Sequence, residues 1–560
     1  MKKLFRKYYF VLIPVVVTAL CAAFGLIRYI INDDTAMLKI AESFQTNSHS
    51  EHLVFISVIL GYLLKLLYNL VPDFNWFITM YLLVVNCGFI ALCGIVKKLG
   101  ERIIGYAVIA AFQVFVLSNL TFTSISFVCA VAGMLWMFVF IKKLEKKSIK
   151  HFVIGFILLF LAFAMRRGDT FYFTVMLFVP VYLFSFIKKR NTVAVIAIAI
   201  VLCTVANYAV TGVQKVYNAN IPSEIYFSEF RKYRGAANDG GLFNYERHGE
   251  ELQKAGITEN DYFLLKRWVF GDKKVYPAEV MKAVAESRDF DEKYDTNLIG
   301  IAKDILKQET VLLLLFALLL MTAINIIIDN DSRLEPLFVL AFTLAGFGFL
   351  YFRRRGIERV SSMVLFSGIL IMLSIFLKNY ENFRNIKLLN KFSDKTFNGI
   401  VVIVCILGIL GTTGYCVREN RRFDRKAEKF HEVIEYTNDN QDEFFICDVR
   451  ASSDYAVKYN NDNIFRPYAN KDIKVYAFLG TWTIYTYYYY DNLKNLGIEE
   501  YSDNLISLLL KDDVRYISRN MSPKKFVRFF KENYKLDVKY KIVKTLPEGN
   551  YKVYKFSVAE

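Results

Sequence analysis

The stretch HLVFISVILGYLLKLLYNL, residues 52–70, decides how this chain is laid out. It is apolar and nearly long enough to cross a bilayer as a helix, which takes about 20 residues. It also carries His52 and Lys65 and ends just before Pro72. The next apolar run, Trp76 to Val96, finishes in Lys97-Lys98 and Arg102. If both runs crossed, that basic cluster would lie outside, together with the later one at Lys142, Lys143, Lys146, Lys147 and Lys150. If residues 52–70 lie in the outer interface instead, both clusters fall inside, where short loops of membrane proteins collect Lys and Arg. The charge pattern therefore assigns 52–70 to the interface.

Working outward, 55% of the 560 residues are hydrophobic, and apolar runs recur through the first three quarters of the chain. The expectation is a mainly α, polytopic membrane protein of about 11 transmembrane helices. Lys2, Lys3, Arg6 and Lys7 hold the N-terminus in the cytoplasm. Met1 to Ala23 has the basic start and apolar run of a signal peptide but no small-residue cleavage site, so it reads as a retained first helix, Tyr8 to Ile31. Further spans fall near 76–96, 103–118, 125–141, 152–165, 171–187, 192–213, 311–328, 336–352, 360–377 and 400–417. Residues 1–418 form the membrane module, with a first outer loop at 32–75 and a large outer loop at 215–308. Residues 419–560 form an extracytoplasmic α/β domain, with strands expected at 444–449, 473–478, 539–543 and 551–558. The net charge of +17 belongs to the inner loops rather than to nucleic-acid binding. Six of eight cysteines lie within apolar runs, which gives neither a disulfide framework nor a metal pair.

Two basic clusters break the charge rule. Arg166-Arg167-Gly168-Asp169 and Arg353-Arg354-Arg355-Gly356-Ile357-Glu358-Arg359 both fall in short outer turns. Guanidinium forks match phosphate oxygens bidentately, so the arginines suit an anionic lipid head group such as a polyprenyl phosphate; the bland alternative is pairing with Glu358 and Asp169 or contact with ordinary phospholipid. The first outer loop opens on Asn32-Asp33-Asp34, followed by Met37, Ile40, Ala41 and Phe44 at the spacing of an amphipathic surface helix. Neighbouring helical side chains diverge by about 100°, so one carboxylate alone can face a given cavity. A carboxylate there suits a general base, although Asn and Asp are also common helix caps.

The order Asn32-Asp33-Asp34, amphipathic stretch to Phe44, Glu51-His52 through Gly61 to Tyr68, and Pro72-Asp73-Phe74-Asn75-Trp76 resembles the first outer loop of GT-C-type membrane glycosyltransferases. That group includes protein O-mannosyltransferases and lipid A aminoarabinose transferases. The chain looks closer still to uncharacterised bacterial multispanning proteins with such an NDD loop and a Gly-x-x-x-Arg-Val element, here Gly356 to Val360. The resemblance implies Asp33 as catalytic base with Asp34 beside it, and Arg166, Arg353 and Arg359 on the donor phosphate; Arg167 and Arg355 belong to the same clusters. It implies a sugar moved from a polyprenyl-phosphate donor to an envelope glycan or glycolipid acceptor, with inversion and no further cofactor. Several such enzymes carry another acid in the second outer loop, where this chain has Ser118-Asn119-Leu120-Thr121-Phe122-Thr123. An assisting carboxylate, and a metal bound by it, thus have no counterpart.

His52 and Lys65 are further candidates for substrate contact, against the plainer reading of a pairing His and a snorkelling Lys. Trp482 and Tyr485 to Tyr490 suit either sugar stacking or an ordinary strand, and the strand is favoured. Asp272 is an acid in the large loop with nothing to select it. P-loop, GxGxxG and HExxH motifs are absent. A lipid-linked-glycan flippase or a repeat-unit polymerase remain the competing functions.

Overall fold

In the computed structural model the described residues are 2–559 without 191, 239–243, 290–292, 329–332, 388, 469–474 and 478. The chain is a mainly helical, multi-pass membrane protein. Nine helices among the described residues are long and apolar enough to cross a bilayer, and the shorter apolar helices Tyr8–Ala23 and Ile103–Ser118 pack beside them. The helices that carry the argument are α1 (Lys2–Ala23), α2 (Asn32–Ala41), α3 (Val58–Leu70), α4 (Trp76–Lys98), α5 (Ile103–Ser118), α6 (Phe122–Phe140), α7 (Ile149–Met165), α8 (Asp169–Ile187), α9 (Val193–Asn220) and α10 (Pro222–Asn238). Further apolar helices follow at Glu309–Ile328, Leu334–Phe352 and Glu358–Lys378, and Asp394–Ala427 leads into the C-terminal domain.

The bundle is held by close packing rather than by water exclusion. Gly133 of α6 and Gly155 of α7 face each other; a Cβ on Gly133 would lie 2.8 Å from the Gly155 carbonyl oxygen. Small residues let membrane helices approach in this way. Helix Glu358–Lys378 is central, buried at every position from Val360 to Leu377.

The first helix stops at Ala23, eight residues short of the expected end. Gly25 takes a positive φ of 64°, and the freed segment runs beside the end of α5. There Arg28 N–H donates to Leu117 at 3.0 Å and Leu120 N–H donates to Arg28 at 2.8 Å. This pairing brings residues 31–34 against the start of α6.

Residues 52–70 do not cross. Helix α3 has 13 residues, a length of about 20 Å against the ~30 Å of a hydrocarbon core. Both its ends are tied to one face. Ser57 N–H donates to Ala164 at 2.8 Å, at the end of α7. Tyr68 Oη donates to Glu42 at 3.0 Å. The helix lies tightly on the loop below it, since a Cβ on Gly61 would overlap the Glu51 carbonyl.

The C-terminal domain sits on that same face. Asn461 holds the Tyr29 backbone through both its amide groups, at 2.7 and 2.8 Å. Asn75 Nδ2 donates to the carbonyls of Ile464 and Arg466 at 3.0 and 2.8 Å, and Arg28 forks onto Asp424. Its five-stranded mixed sheet has the order β2-β1-β3-β5-β4, with β1 Phe444–Cys447, β2 Val475–Tyr476, β3 Val514–Ser518, β4 Val538–Leu546 and β5 Tyr551–Val558. Strand β1 is parallel to β2 and β3, whereas β5 runs antiparallel to β3 and β4. Residues 473, 474 and 478 of the expected second strand lie outside the described residues.

One reading changes here. The strand expected through Tyr485–Tyr490 is a helix, Tyr487–Asn495: Thr486 caps it by accepting from Tyr489 N–H, and Tyr489 and Leu493, one turn apart, are its buried apolar side chains, with Asn492 buried beside them. The large loop also shares a core with the C-terminal segment, in which Phe230, Phe270 and Tyr276 pack with Ile446, Tyr485 and Tyr516.

Candidate active site

Asn32, Asp33 and Asp34 form the first turn of α2. The residue before them, Ile31, is the cap; it is extended (φ −134°, ψ 152°) and makes no side-chain capping bond. The two carboxylates are therefore not spent on capping this helix, although its N-terminal partial charge favours both.

They diverge as neighbours on a helix must. Asp34 turns inward and is fully buried. Its Oδ1 accepts from Tyr81 Oη at 2.6 Å and from Phe122 N–H at 3.0 Å. One side chain thus joins α2 to α4 and satisfies a donor that the first turn of α6 leaves unpaired. Its Oδ2 has no hydrogen-bond partner, and burial, partly offset by those two bonds, pushes its carboxyl up to about 7.

That shift has a sign that can be measured. The folded protein keeps the Asp34 proton to about pH 7, while the unfolded chain releases it near 3.8. This contribution to stability is complete below the unfolded value and fades as pH rises toward the folded one. Asp34→Asn removes the titration while preserving the shape. Its melting temperature should gain on wild type by several degrees between pH 5 and pH 8; a gap that stays constant with pH contradicts the assignment.

Asp33 turns the other way, into a cavity of about 800 Å³. Six arginines line it: Arg166 and Arg167 from the α7–α8 turn, Arg231 and Arg234 from α10, and Arg355 and Arg359 from the start of helix Glu358–Lys378 and the turn before it. Asp33 is the one carboxylate among the described lining residues. Its Oδ2 lies 3.2 Å from Arg359 Nη2, with the two side chains 13% and 24% exposed. Arg359 Nε is buried with no partner. Burial also holds the Arg167 guanidinium below its usual value. Desolvated cations of this kind gain from an incoming anion.

The other arginines are aimed by specific contacts. Arg166 donates to Thr123 Oγ1 and lies 5.2 Å from the Phe122 ring centre. Arg231 donates to the Val54 carbonyl at 2.8 Å and stacks over Phe55, and Arg234 lies over Trp268. Phe55 in turn packs on Phe122 and Trp482, at 5.3 and 4.6 Å between ring centres. The acid-free turn after α5 has its own work here. Thr121 and Ser124 form a capping box for α6, and Thr123 steadies Arg166.

Three expected site residues lie elsewhere. Arg353 rests over the rings of Tyr294 and Phe349. Lys65 pairs with Glu51 at 2.7 Å, and Glu51 also accepts from Tyr217 of α9. His52 Nδ1 lies 2.7 Å from Glu224 Oε2, both buried; it borders a side cavity shared with Arg167 and Arg231. Asp272 is also buried away from the site, bonded to Tyr534 and to the Lys274 and Val275 N–H groups.

The sequence reading missed Arg231 and Arg234, and with them Trp268 and Ser453. The signal for the first two was present: Phe227, Arg231, Arg234 and Asn238 recur at helical spacing, which puts them on one face of α10. Among the described residues no three His, Cys, Asp or Glu side chains gather as a metal site requires.

No family model matches the chain, and no curated protein does. Among solved structures, it is similar to ArnT from Cupriavidus metallidurans bound to undecaprenyl phosphate, at 11% identity and a TM-score of 0.33 over 98% of both chains. The apo state of the same protein matches at 11% identity and 0.33 over 97% of both chains.

Proposed function

We propose that this protein is a membrane glycosyltransferase that moves a sugar from a polyprenyl-phosphate donor to an envelope acceptor, with Asp33 as general base. The observation that carries the reading is one cavity in which Asp33, the one carboxylate among the described lining residues, meets six arginines at the edge of a helix bundle. The Lys and Arg clusters at 97–102, 142–150 and 188–190 lie at the opposite ends of the helices, so the cavity face is assigned to the outside.

In this reading the donor phosphate docks on Arg359, Arg355, Arg166 and Arg167, with its isoprenoid tail between helices in the bilayer. Docking loosens the Asp33–Arg359 pair, because the phosphate competes for the same guanidinium. Asp33 then takes the proton of the acceptor hydroxyl. The acceptor oxygen attacks the anomeric carbon from the face opposite the phosphate and the glycosidic bond forms. The bond from the anomeric carbon to the phosphate oxygen breaks with its electron pair, leaving polyprenyl phosphate and an inverted linkage. Arginines stabilise the charge that builds on the leaving phosphate, a contribution that grows in a water-poor site.

Donor binding tests this step alone. Purified protein in detergent should bind undecaprenyl phosphate and not undecaprenol. The double variant Arg166→Gln/Arg355→Gln should weaken that binding about tenfold or more, the scale of lost charge-assisted hydrogen bonds. Equal binding of the alcohol, or indifference to the double variant, contradicts the phosphate site.

A further inference from the structure

A second cavity, of about 180 Å³, lies on the far side of Asn32, Val449, Ser453 and Trp482, which line both hollows. Its walls come from the first loop and the C-terminal domain. Asn32, Thr35, Ala36 and Lys39 are the face that α2 turns toward it, next to the face that carries Asp33. The opposite wall supplies the hydroxyls of Ser452, Thr481 and Thr483 together with Asn492.

Two of these groups have chemistry that the protein leaves unused. Lys39 has its ammonium 5.2 and 5.0 Å from the ring centres of Phe44 and Tyr468. No carboxylate among the described residues is within ion-pair distance of it. Burial lowers Lys39 to about 8, so at neutral pH it is mostly charged. Stacking over rings stabilises a cation but occupies none of its three N–H donors. Asn492 is 4% exposed. Its Nδ2 donates to the Gln45 carbonyl at 3.1 Å, while its Oδ1 has no partner. A buried amide oxygen left unpaired is costly, and an arriving hydroxyl would satisfy it. Trp482, 8% exposed, forms the shared edge, and an aromatic face beside hydroxyls suits the apolar face of a sugar ring.

Resting on the glycosyl-transfer reading, we propose that this chamber receives an anionic sugar unit of the acceptor, with its ring hydroxyls on Asn492 and the Ser and Thr side chains and its carboxylate or phosphate on Lys39. Neither Asp33 nor any of the six arginines lines the chamber, but Asn32, next to Asp33 on α2, lines both hollows, so donor and acceptor anions are sorted to opposite sides of Trp482. The acceptor hydroxyl presented to Asp33 then belongs to the same or the adjoining sugar.

The test is ligand-observed NMR on the full-length protein in detergent with four probes: methyl glucuronide, glucose 6-phosphate, methyl glucoside and inorganic phosphate. At least one anionic sugar should bind about tenfold tighter than both methyl glucoside and inorganic phosphate, the scale of one charge-assisted hydrogen bond. Lys39→Met should remove that preference, and Lys39→Arg should keep it. Equal binding of methyl glucoside, equal binding of free phosphate, or a preference that survives Lys39→Met overturns the proposal. The comparison of probes on wild type stands even where a variant fails to fold. Undecaprenyl phosphate binding on the same samples reads the arginine cavity separately. Wild type that binds the lipid but no anionic sugar refutes the chamber alone, and the reverse result refutes the donor site alone.

Discussion

Asp33→Asn should leave the protein folded and able to bind undecaprenyl phosphate, while transfer falls by about 100- to 10,000-fold, the usual range for loss of a general base. Asn keeps the shape and can still accept from Arg359 through its amide oxygen, but it cannot take a proton. The loss should therefore appear in kcat, with KM for the donor little changed. Asp34→Asn is the internal comparison, because it alters the neighbouring carboxylate, which faces the core and bonds to Tyr81 and the Phe122 N–H. If both variants lost transfer equally, the acid pair would be a structural unit and the division of roles between them would fall. If Asp33→Asn kept full turnover, the base would have to be another group.

The second large effect is at Arg359. Arg359→Gln should lower kcat by about 100- to 1,000-fold, as removal of one preorganised donor to a developing oxyanion does elsewhere. Arg359→Lys should recover a part of it, because a lysine keeps the charge but not the planar fork that matches phosphate. Stability must be separated from chemistry, since Arg359 also holds Asp33 at 3.2 Å. Removing one partner of a half-buried pair leaves the other without its counter-charge. The double variant Asp33→Asn/Arg359→Gln should accordingly recover thermal stability relative to Arg359→Gln while remaining inactive. Recovery of both would make the pair a brace and nothing more.

Much of this arrangement was legible in the chain, and the exceptions have physical reasons. Long apolar helices announce themselves, and loop charge alone was enough to lay residues 52–70 on the surface, where α3 lies. The arginines in the two outer turns stood out because no charge rule explained them, and Arg166, Arg167, Arg355 and Arg359 do meet Asp33 in one cavity. Arg353 could not be separated from its neighbours by sequence, since its position is set by the rings of Tyr294 and Phe349. Arg231 and Arg234 were hidden for another reason. Their helix is amphipathic in an unusual sense, with a buried face that carries Glu224 and Arg234 as well as Phe227 and Phe230, so a search for apolar periodicity passes over it. The Thr and Tyr residues at 483–490 favoured a strand by propensity, but Thr486 capping and the buried pair Tyr489 and Leu493 made a helix. The joint core of the large loop and the C-terminal segment was beyond reach, because it depends on contacts between residues more than two hundred positions apart.

The central claim is that Asp33 and the arginines around it transfer a sugar from a lipid phosphate. The most direct measurement places purified protein in liposomes with a radiolabelled polyprenyl-phosphate sugar and an envelope glycolipid extract as acceptor. Label should move covalently to the acceptor with inverted anomeric configuration, and Asp33→Asn should abolish that movement. Label that crosses the bilayer still attached to its polyprenyl phosphate, at equal rates in wild type and Asp33→Asn, would contradict the account.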